Sequence, residues 1–531
     1  MKALRFLATA ILALQLSALL LAQSSGPDDR KITDPQSVTS AANAGARAIP
    51  IDDLYFTRSV GNASWSPDGK EILFTTDMSG RSNLWKVSAA GGWPVQLVQS
   101  DERQYGGTWS PDGKWIAFMQ DTGGNELWDI FAVPGDGGEV VNLTNTPDVR
   151  EEQPRWSPDG RTIALNYKPK AGTVYDLALL DWATRKVSKL THESTPDHSW
   201  DTVAWSPDGK TLYANRFEVS FTDADIYSVD VATGKTTNLT PHEGKVLSSA
   251  SSLSPDGKTL LLTSNQKGGY QNVALLDVAS KKLTWVTDTK WEASAGDFSP
   301  AGKSFTYTIN ADGLTDAYLV DAATMHAEKL PVEAGLTGFP AYPSSFSPSG
   351  DRLLLSHESS VKPGDFWIDN LASGKISQLT HTAIASLSAA PMPESQIVHY
   401  KSFDGKTISA LMWVPFNLKR DGSNPALVLP HGGPTGQTQD HWSPRIAALV
   451  SRGYICIAPN VRGSTGYGMD FQRANYQDLG GGDLQDEVFA TKFLQATGYV
   501  SPPMGSKAGL HVSITMPWRG SESCERNVAG E

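Results

Sequence analysis

A polar turn followed by strands of alternating hydrophobic and polar residues recurs seven times between residues 51 and 392. Each turn begins with a large apolar residue and Ser-Pro, and the copies are separated by 44 to 49 residues. The copies are WSPDGK at Trp65, Trp109 and Trp205, WSPDGR at Trp156, LSPDGK at Leu253, FSPAGK at Phe298 and FSPSGD at Phe346. An apolar strand such as EILFTT follows, then a second such as NLWKVS and a short third such as VQLV. Each repeat therefore predicts one small antiparallel unit.

The repeated turn has a clear physical reason for its residues. Proline fixes φ at the second turn position, and the glycine adopts the left-handed conformation that closes a tight hairpin. The large apolar residue before Ser-Pro is expected to pack between neighbouring sheets. A period of about 40–50 residues with several strands per unit is typical of a β-propeller. We predict an all-β seven-bladed β-propeller over residues 51–392, whereas a β-helix or sandwich would require another period.

The period ends at Pro393, and strands then alternate with helices up to residue 500. SQIVHYKSF and TISALMWVP predict an antiparallel pair, and PALVLPHGGP and YICIAPN predict buried strands. HWSPRIAALVSRG predicts a helix that begins at Ser443 and ends at Gly453. GGDLQDEVFATKFLQATGY predicts another, with an apolar stripe through Leu484, Val488, Phe489 and Phe493. This alternation indicates a doubly wound α/β sheet over residues 393–500.

The N-terminal residues predict export from the cytoplasm. Two basic residues and an apolar run, followed by Gln23-Ser24-Ser25-Gly26, match a secretory signal peptide. We assign residues 1–22 to the signal peptide and residues 23–50 to a leader. A retained anchor helix is the alternative, but about 17 apolar residues barely span a bilayer. We therefore expect a periplasmic or extracellular protein with no stable membrane anchor.

Composition excludes some partners. A net charge of −12 disfavours nucleic acid and anionic membranes. Only Cys456 and Cys524 are present, so no disulfide framework is predicted, and Cys456 is expected in the core. We predict no cofactor and no metal site, and the sequence leaves the oligomeric state open.

The motifs of the second domain resemble those of a known family. A seven-bladed propeller followed by LVLPHGGPTG, SRGYICIAPNVRGSTGYG and DLGGGDLQD resembles the prolyl oligopeptidase family of serine peptidases, most of all its acylaminoacyl-peptidase and dipeptidyl-aminopeptidase-like bacterial members. The resemblance covers roughly residues 51 to 500. It implies a partial α/β-hydrolase domain after the propeller and short peptides as the substrate class.

The resemblance also implies roles for a glycine-rich loop. Gly433 is the first candidate donor of a backbone N–H to the developing oxyanion, and Gly432 shapes the loop. The alternative is a tight turn before a helix. We expect His431 to be structural. Ser464 lacks a glycine two residues before it and is interpreted as a loop residue.

The catalytic serine, aspartate and histidine of the family are not found. The chain contains no Gly-x-Ser-x-Gly motif, and after Val500 it has no Asp and only one His, His511. Residues 501–531 show neither helix nor strand periodicity in our interpretation, so we expect an aberrant tail, from a frameshift, a truncated gene or genuine divergence. We predict a peptidase scaffold that is inactive as it stands. The alternative hypothesis is a non-catalytic periplasmic β-propeller that binds a protein or peptide partner.

Overall fold

The computed structural model describes residues 31–383, 387, 391–433 and 435–501. The predicted signal peptide and the tail from residue 502, with Ser506 and His511, lie outside the described residues, so the expectations for them stay predictions. Within the described ranges, no helix is both long and apolar enough to cross a membrane. Strand β1 (Lys31–Ile32) and helix α1 (Ile51–Tyr55) precede the propeller.

The described chain forms seven antiparallel blades of four strands each. Blade 1 contains β2 (Val60–Trp65), β3 (Glu71–Thr76), β4 (Asn83–Ser88) and β5 (Val95–Gln96). Blade 2 contains β6 (Gln104–Trp109), β7 (Trp115–Gln120), β8 (Asp129–Pro134) and β9 (Val141–Asn142). Blade 3 contains β10 (Val149–Trp156), β11 (Thr162–Pro169), β12 (Asp176–Asp181) and β13 (Val187–Lys189). Blade 4 contains β14 (His198–Trp205), β15 (Thr211–Glu218), β16 (Ala224–Asp230) and β17 (Thr236–Asn238).

The remaining three blades follow the same pattern. Blade 5 contains β18 (Ser248–Leu253), β19 (Thr259–Ser264), β20 (Asn272–Asp277) and β21 (Leu283–Trp285). Blade 6 contains β22 (Glu292–Phe298), β23 (Ser304–Ala311), β24 (Leu314–Asp321) and β25 (Ala327–Lys329). Blade 7 contains β26 (Leu336–Gly338), β27 (Arg352–Ser359), β28 (Lys362–Asn370) and β29 (Lys375–Gln378). A parallel contact between β24 and β26 joins blades 6 and 7. The seven-bladed β-propeller predicted from the repeat is confirmed.

The repeated turns also connect the blades to one another. The glycine of each turn has a positive φ, as predicted, and lies against the proline of the preceding turn. The ring closes where Gly69 of blade 1 meets Pro348, and its carbonyl accepts a hydrogen bond of 2.7 Å from Arg352 Nη2 of blade 7. The large apolar residue before Ser-Pro reaches the neighbouring blade, since Trp65 Nε1 donates to Ser345 O at 3.0 Å. The repeated Ser-Pro turn therefore has two roles: it closes the hairpin within each blade, and it holds neighbouring blades together, including blades 1 and 7.

The second domain is built on a five-stranded sheet with the order β1, β30, β31, β33, β32. Its strands besides β1 are β30 (Gln396–Lys401), β31 (Thr407–Trp413), β32 (Ala426–Val428) and β33 (Ile455–Asn460). Its helices are α2 (Pro444–Val450), α3 (Met469–Gln472) and α4 (Gly482–Ala496), with 3-10 turns at Pro35–Ser37 and Arg473–Asn475. The antiparallel pair β30–β31 is confirmed, as is the cap of α2, where Ser443 Oγ accepts from Ile446 N–H at 3.3 Å.

Part of the predicted leader belongs to this second domain. β1 pairs in parallel with β30, and the side chains of Val38 and Ile49 are fully buried. Arg420 ties this N-terminal segment to the end of α4, because its guanidinium donates to the carbonyl oxygens of Val38 and Thr497. Residues 31–49 lack a periodic pattern that would indicate this packing, and their partners follow some 350 residues later in the chain.

The apolar stripe predicted for α4 is wrong in part, because Phe493 is buried and Phe489 packs against the core, but Leu484 is only half-buried. Val488 is exposed, and the buried face of the helix carries Asp483, Asp486 and Glu487 together with Ala490, Phe493 and Leu494. The physical reason is that partners satisfy the buried acid, since Asp486 accepts hydrogen bonds from Arg462 and Ser402. Periodicity predicts that the most apolar face of a helix is buried. In α4, the salt bridge of Asp486 allows a face that carries acidic residues to be buried instead.

Candidate functional site

The glycine-rich loop begins three residues after β32 and leads towards α2. Gly433 has φ +138°, and a Cβ there would lie 2.6 Å from the Thr435 nitrogen, so a side chain would be strained. The backbone N–H groups of Gly432 and Gly433 donate to no acceptor among the described residues. Two backbone donors are therefore free to bind a ligand oxygen, as the role proposed for Gly433 and Gly432 requires; this role remains a prediction.

His431 and Ser464 lie in contact, although the sequence analysis assigned them to two different loops. His431 Nε2 is 2.8 Å from Ser464 Oγ, and the same hydroxyl oxygen is 2.6 Å from Val461 O. The Ser464 side chain is fully buried, and burial lowers the pKa of His431, which favours the neutral ring. His431 Nδ1 faces the Gly432 carbonyl at 3.0 Å rather than a carboxylate. This pair therefore fixes the loop and does not form an activated, accessible nucleophile.

It is the one serine–histidine hydrogen bond within the part of the chain that the structure describes. The Ser, Asp and His expected of the family are thus not brought together by the described residues. The contact was missed because residues 431 and 464 belong to different loops. Their proximity follows from the parallel pairing of β32 with β33, which places the loops after both strands at one edge.

The motif RGSTGYG attaches the second domain to the propeller. A Cβ at Gly468 would lie 2.8 Å from the Tyr270 ring of blade 5, and one at Gly466 would lie 2.3 Å from Gln437. Gly468 N–H donates to Glu292 Oε1 of blade 6 at 3.0 Å. Gly468 therefore allows close approach of the backbone to the propeller, and Gly466 allows close approach to the loop that carries Gln437.

Arg462, the first residue of that motif, is buried between two carboxylates. Its guanidinium donates to Asp486 Oδ1 at 2.8 Å and to Asp404 Oδ2 at 2.9 Å. The hydrogen bond with Asp486 raises the pKa of Arg462, so the side chain stays charged. The group positions the start of the loop that carries Ser464.

A cavity of about 690 Å³ lies between the propeller and the second domain. We call it the interdomain cavity. Blades 3 and 4 supply its aromatic wall, namely Tyr175, Trp200, Phe217 and Phe221. The second domain supplies Thr435, next to the glycine loop, together with Thr465 and Gln472. The cavity therefore reaches the loop that carries Gly433 from the propeller side.

Two acidic side chains line the propeller wall of this cavity. Glu152 is paired with Arg150 at 2.6 Å through Oε1. Burial raises the pKa of Asp201, whose Oδ1 accepts a hydrogen bond of 2.8 Å from Asn166. No lysine or arginine belongs to the described lining. The lining thus favours a ligand with a positive charge and an apolar group.

The structure also groups three possible metal ligands in blade 4. They are Asp223, Asp225 and His242, whose ligand atoms lie within 4.8 Å of one another. His242 Nδ1 faces Asp225 at 3.0 Å, and Nε2 faces Asp223 at 3.4 Å. Each ring nitrogen of His242 therefore faces one of the two carboxylates. The arrangement is that of a hydrogen-bonded ionic group.

The sequence matches two family profiles. The profile of the TolB beta propeller domain matches residues 55–201 and 136–344, and that of the prolyl oligopeptidase family matches residues 440–507. Dipeptidyl aminopeptidase BIII of Pseudoxanthomonas mexicana is 24% identical over 500 residues, which are 90% of this chain and 71% of that protein. Dipeptidyl-peptidase 5 of Porphyromonas gingivalis is 24% identical over 284 residues, covering 52% of this chain and 41% of its own length.

Solved structures share the same two-domain fold. A puromycin-hydrolyzing peptidase of Mycobacterium tuberculosis superimposes with a TM-score of 0.73 at 15% identity, over 87% of this chain and 76% of that chain. A prolyl endopeptidase superimposes with a TM-score of 0.72 at 15% identity, over 92% and 71%.

The fold is that of the propeller-plus-hydrolase class, in which a β-propeller precedes an α/β domain. The second domain is similar to the prolyl oligopeptidase family, whose profile matches residues 440–507, and this confirms the resemblance seen in the sequence. The chain spans 71% of the length of dipeptidyl aminopeptidase BIII, but only about 40% of the length of three other curated relatives that it matches.

Proposed function

We propose that this chain binds short peptides with a free amino terminus in the interdomain cavity and does not cleave them by itself. The observation that carries the proposal is the cavity of about 690 Å³, which has an acidic aromatic wall on the propeller and the glycine loop at its other side. The sequence supplies oxyanion donors but no Gly-x-Ser-x-Gly nucleophile, and a serine peptidase requires both.

The two walls fit the two ends of such a ligand. The carboxylate of Glu152 would bind the terminal ammonium group, since hydrogen bonds to charged groups contribute about 1.5–3 kcal/mol. The free N–H groups of Gly432 and Gly433 would bind a peptide carbonyl oxygen. Relatives named dipeptidyl aminopeptidase and dipeptidyl-peptidase support a peptide with a free amino terminus as the ligand.

Calorimetry with matched peptides tests the ligand. Ala-Phe-Ala-Ala with a free amino terminus should bind at least about tenfold more tightly than its N-acetyl form, since 1.4 kcal/mol corresponds to a factor of ten. Glu152→Gln should remove most of this difference, whereas Glu139→Gln, at an exposed position outside the cavity, should preserve it. Equal affinity of the two peptides, or no binding, would contradict the proposal.

A fluorophosphonate probe tests the absence of cleavage. These reagents label a serine activated by a base, and Ser464 is fully buried against Val461. We expect no labelling and no hydrolysis of the tetrapeptide. Stoichiometric labelling of any serine, with peptide turnover, would show a catalytic site that we have not recognised.

We also propose that the protein is exported. The support is the signal-peptide pattern of residues 1–22. Expression in a bacterial host with N-terminal sequencing of the periplasmic fraction tests it. A mature chain beginning near residue 23 is expected, and an uncut chain in the cytoplasm would refute export.

A further inference from the structure

The hairpin between β23 and β24 carries blade 6 into the second domain. Its two-residue turn is Asp312-Gly313, with φ of +60° and +85°, as a tight hairpin turn with Asp-Gly requires. The Gly313 carbonyl accepts from Asp440 N–H at 2.9 Å. Leu314, the next residue, is buried in a hydrophobic cluster with residues of β31, α2 and β33. The tip of a propeller blade is thus part of the core of the second domain.

Asp312 is the polar group at this tip and is almost fully buried. Its Oδ2 lies 2.5 Å from His399 Nε2 on β30, and its Oδ1 accepts from the Tyr467 hydroxyl at 3.0 Å. Burial acts to raise the pKa of Asp312, but the hydrogen bond from His399 and the other donors outweigh it and keep the pKa below the usual value. The carboxylate therefore stays ionised and accepts from both partners.

Hydrogen bonds continue from Tyr467 to the glycine loop. The Tyr467 hydroxyl accepts from Asn460 Nδ2 at 2.8 Å, where β33 ends. The buried carboxamide of Asn460 accepts from Thr438 N–H at 2.7 Å and donates to Thr438 O at 3.1 Å. Thr438 lies five residues after Gly433 in the same loop. A continuous chain of hydrogen bonds therefore connects Asp312 of the propeller with this loop.

Two further contacts between this tip and the loop lie beside that chain. Asn310 Nδ2 donates to Gln437 Oε1 at 2.5 Å, and Gly313 O accepts from Asp440 N–H. On the other side, the second domain contacts the loop through Thr465 N–H to Gly436 O at 2.8 Å and through the His431–Ser464 pair. Residues 437, 438 and 440 are therefore fixed from the propeller.

We propose that Asp312 is a positioning residue for the glycine loop. It orients Tyr467, Tyr467 orients Asn460, and Asn460 fixes Thr438, so the direction of the free N–H groups of Gly432 and Gly433 depends on the docked propeller. The consequence for peptide binding rests on the function proposed above. The consequence for the loop itself does not, and it can be measured without a ligand.

Hydrogen exchange of the full chain tests the proposal with Tyr467→Phe. This variant keeps the ring, which packs against Trp291 and Phe471, and removes the hydroxyl in the middle of the chain of hydrogen bonds. We expect peptides covering residues 431–443 to exchange about five- to tenfold faster, the loss that one buried hydrogen bond predicts. Propeller peptides and those covering α4 should be unchanged.

Tyr400→Phe is the matched control. Tyr400 is buried in the same domain, and its hydroxyl donates to Asp486 O at 2.8 Å, away from the glycine loop. It should leave the exchange of residues 431–443 as in wild type. Asp312→Asn retains an oxygen acceptor for Tyr467 and should show a smaller effect than Asp312→Ala. Unchanged exchange of the loop in Tyr467→Phe, or the same increase in both tyrosine variants, would overturn the proposal.

Peptide affinity separates this inference from the proposed function. If both hold, Tyr467→Phe weakens binding of Ala-Phe-Ala-Ala by a few-fold while the preference over the acetylated peptide remains, because Glu152 lies on the propeller. Faster loop exchange with no peptide binding in wild type would support the positioning role and refute the function. Peptide binding by wild type, together with unchanged loop exchange in Tyr467→Phe, would support the proposed function and refute the positioning role.

Discussion

Arg462 connects the loop after β33 with the last helix of the second domain. Its side chain is 7% exposed and lies between Asp486, which is fully buried, and Asp404 at the surface. A buried ion pair of this kind is often no more stabilising than well-packed apolar residues in its place. Removing only one of its members, however, leaves the other charge buried and uncompensated, which is strongly destabilising. The sequence did not predict the acidic buried face of α4, because Asp486 and its partner Arg462 are 24 residues apart in the chain.

Arg462→Met is therefore expected to lower the free energy of unfolding of the second domain by about 3–5 kcal/mol. Urea unfolding followed by circular dichroism measures it. Arg161→Met, at an exposed turn of the propeller, is the control and should change stability by no more than about 0.5 kcal/mol. Similar effects of the two variants would show that the buried ion pair has no special role.

Glu151 on β10 provides a test of pH dependence. The residue is fully buried, and this burial raises its pKa from 4.5 to about 7. Below pH 4.5 the carboxyl is protonated in folded and unfolded chains alike. As the pH rises towards 7, the unfolded chain releases the proton while the folded chain retains it, so stability is lost across this window.

Glu151→Gln should remove this loss because the amide stays neutral. The variant should gain up to about 3 kcal/mol over wild type on going from pH 5 to pH 8, as the difference in pKa implies. Urea unfolding at both pH values measures the gain. Glu139→Gln at the surface should show none, and a parallel pH dependence of wild type and Glu151→Gln would contradict the assignment.

At the scale of elements, the tip of blade 6 packs into the core of the second domain. The turn between the first two strands of each blade was predicted from its residues, but the Asp312-Gly313 turn was not, and nothing in the sequence indicates which hairpin enters the other domain. Leu314 is 6% exposed and shares its cluster with Trp413 and Cys456. The propeller and the second domain therefore share part of one core, although their sequence patterns change abruptly at Pro393.

Leu314→Ala should consequently destabilise the second domain more than the propeller, although Leu314 belongs to a propeller blade. Removing a buried leucine side chain costs about 2–5 kcal/mol. We expect limited proteolysis to cut faster between residues 393 and 501 while the blades remain resistant. Leu276→Ala, fully buried in blade 5, should have the opposite pattern. Faster cleavage within blade 6 alone would argue against a shared core.

At the scale of the whole molecule, the N-terminal segment packs against the second domain before the propeller begins. Residues 31–49 add a strand to the second-domain sheet, and α1 then packs against α2 before the first blade begins at Val60. The predicted boundaries at residues 51 and 392 stay predictions, while the blade strands run from residue 60 to 378. The second domain is thus assembled from both ends of the described chain.

A chain that begins at residue 51 should lose stability relative to one that begins at residue 31. Val38 and Ile49 are both fully buried, and each such side chain contributes about 1.5–3 kcal/mol. The shorter chain should unfold at lower temperature in calorimetry, with its second domain cleaved first by protease. Equal melting of the two chains would show that the segment is dispensable.

The sequence by itself determined the propeller, the order of strands and helices after it, the cap of α2 and the resemblance to the prolyl oligopeptidase family. These features depend on turn chemistry and periodicity within a few residues, which each segment carries in its own side chains. The tertiary structure decided that β1 joins the second sheet, that α4 buries an acidic face, that His431 meets Ser464 and that Asp312 reaches Tyr467. Each of these pairs partners that are distant in sequence, and only folding brings a charge or a hydrogen-bonding group to the side chain that satisfies it.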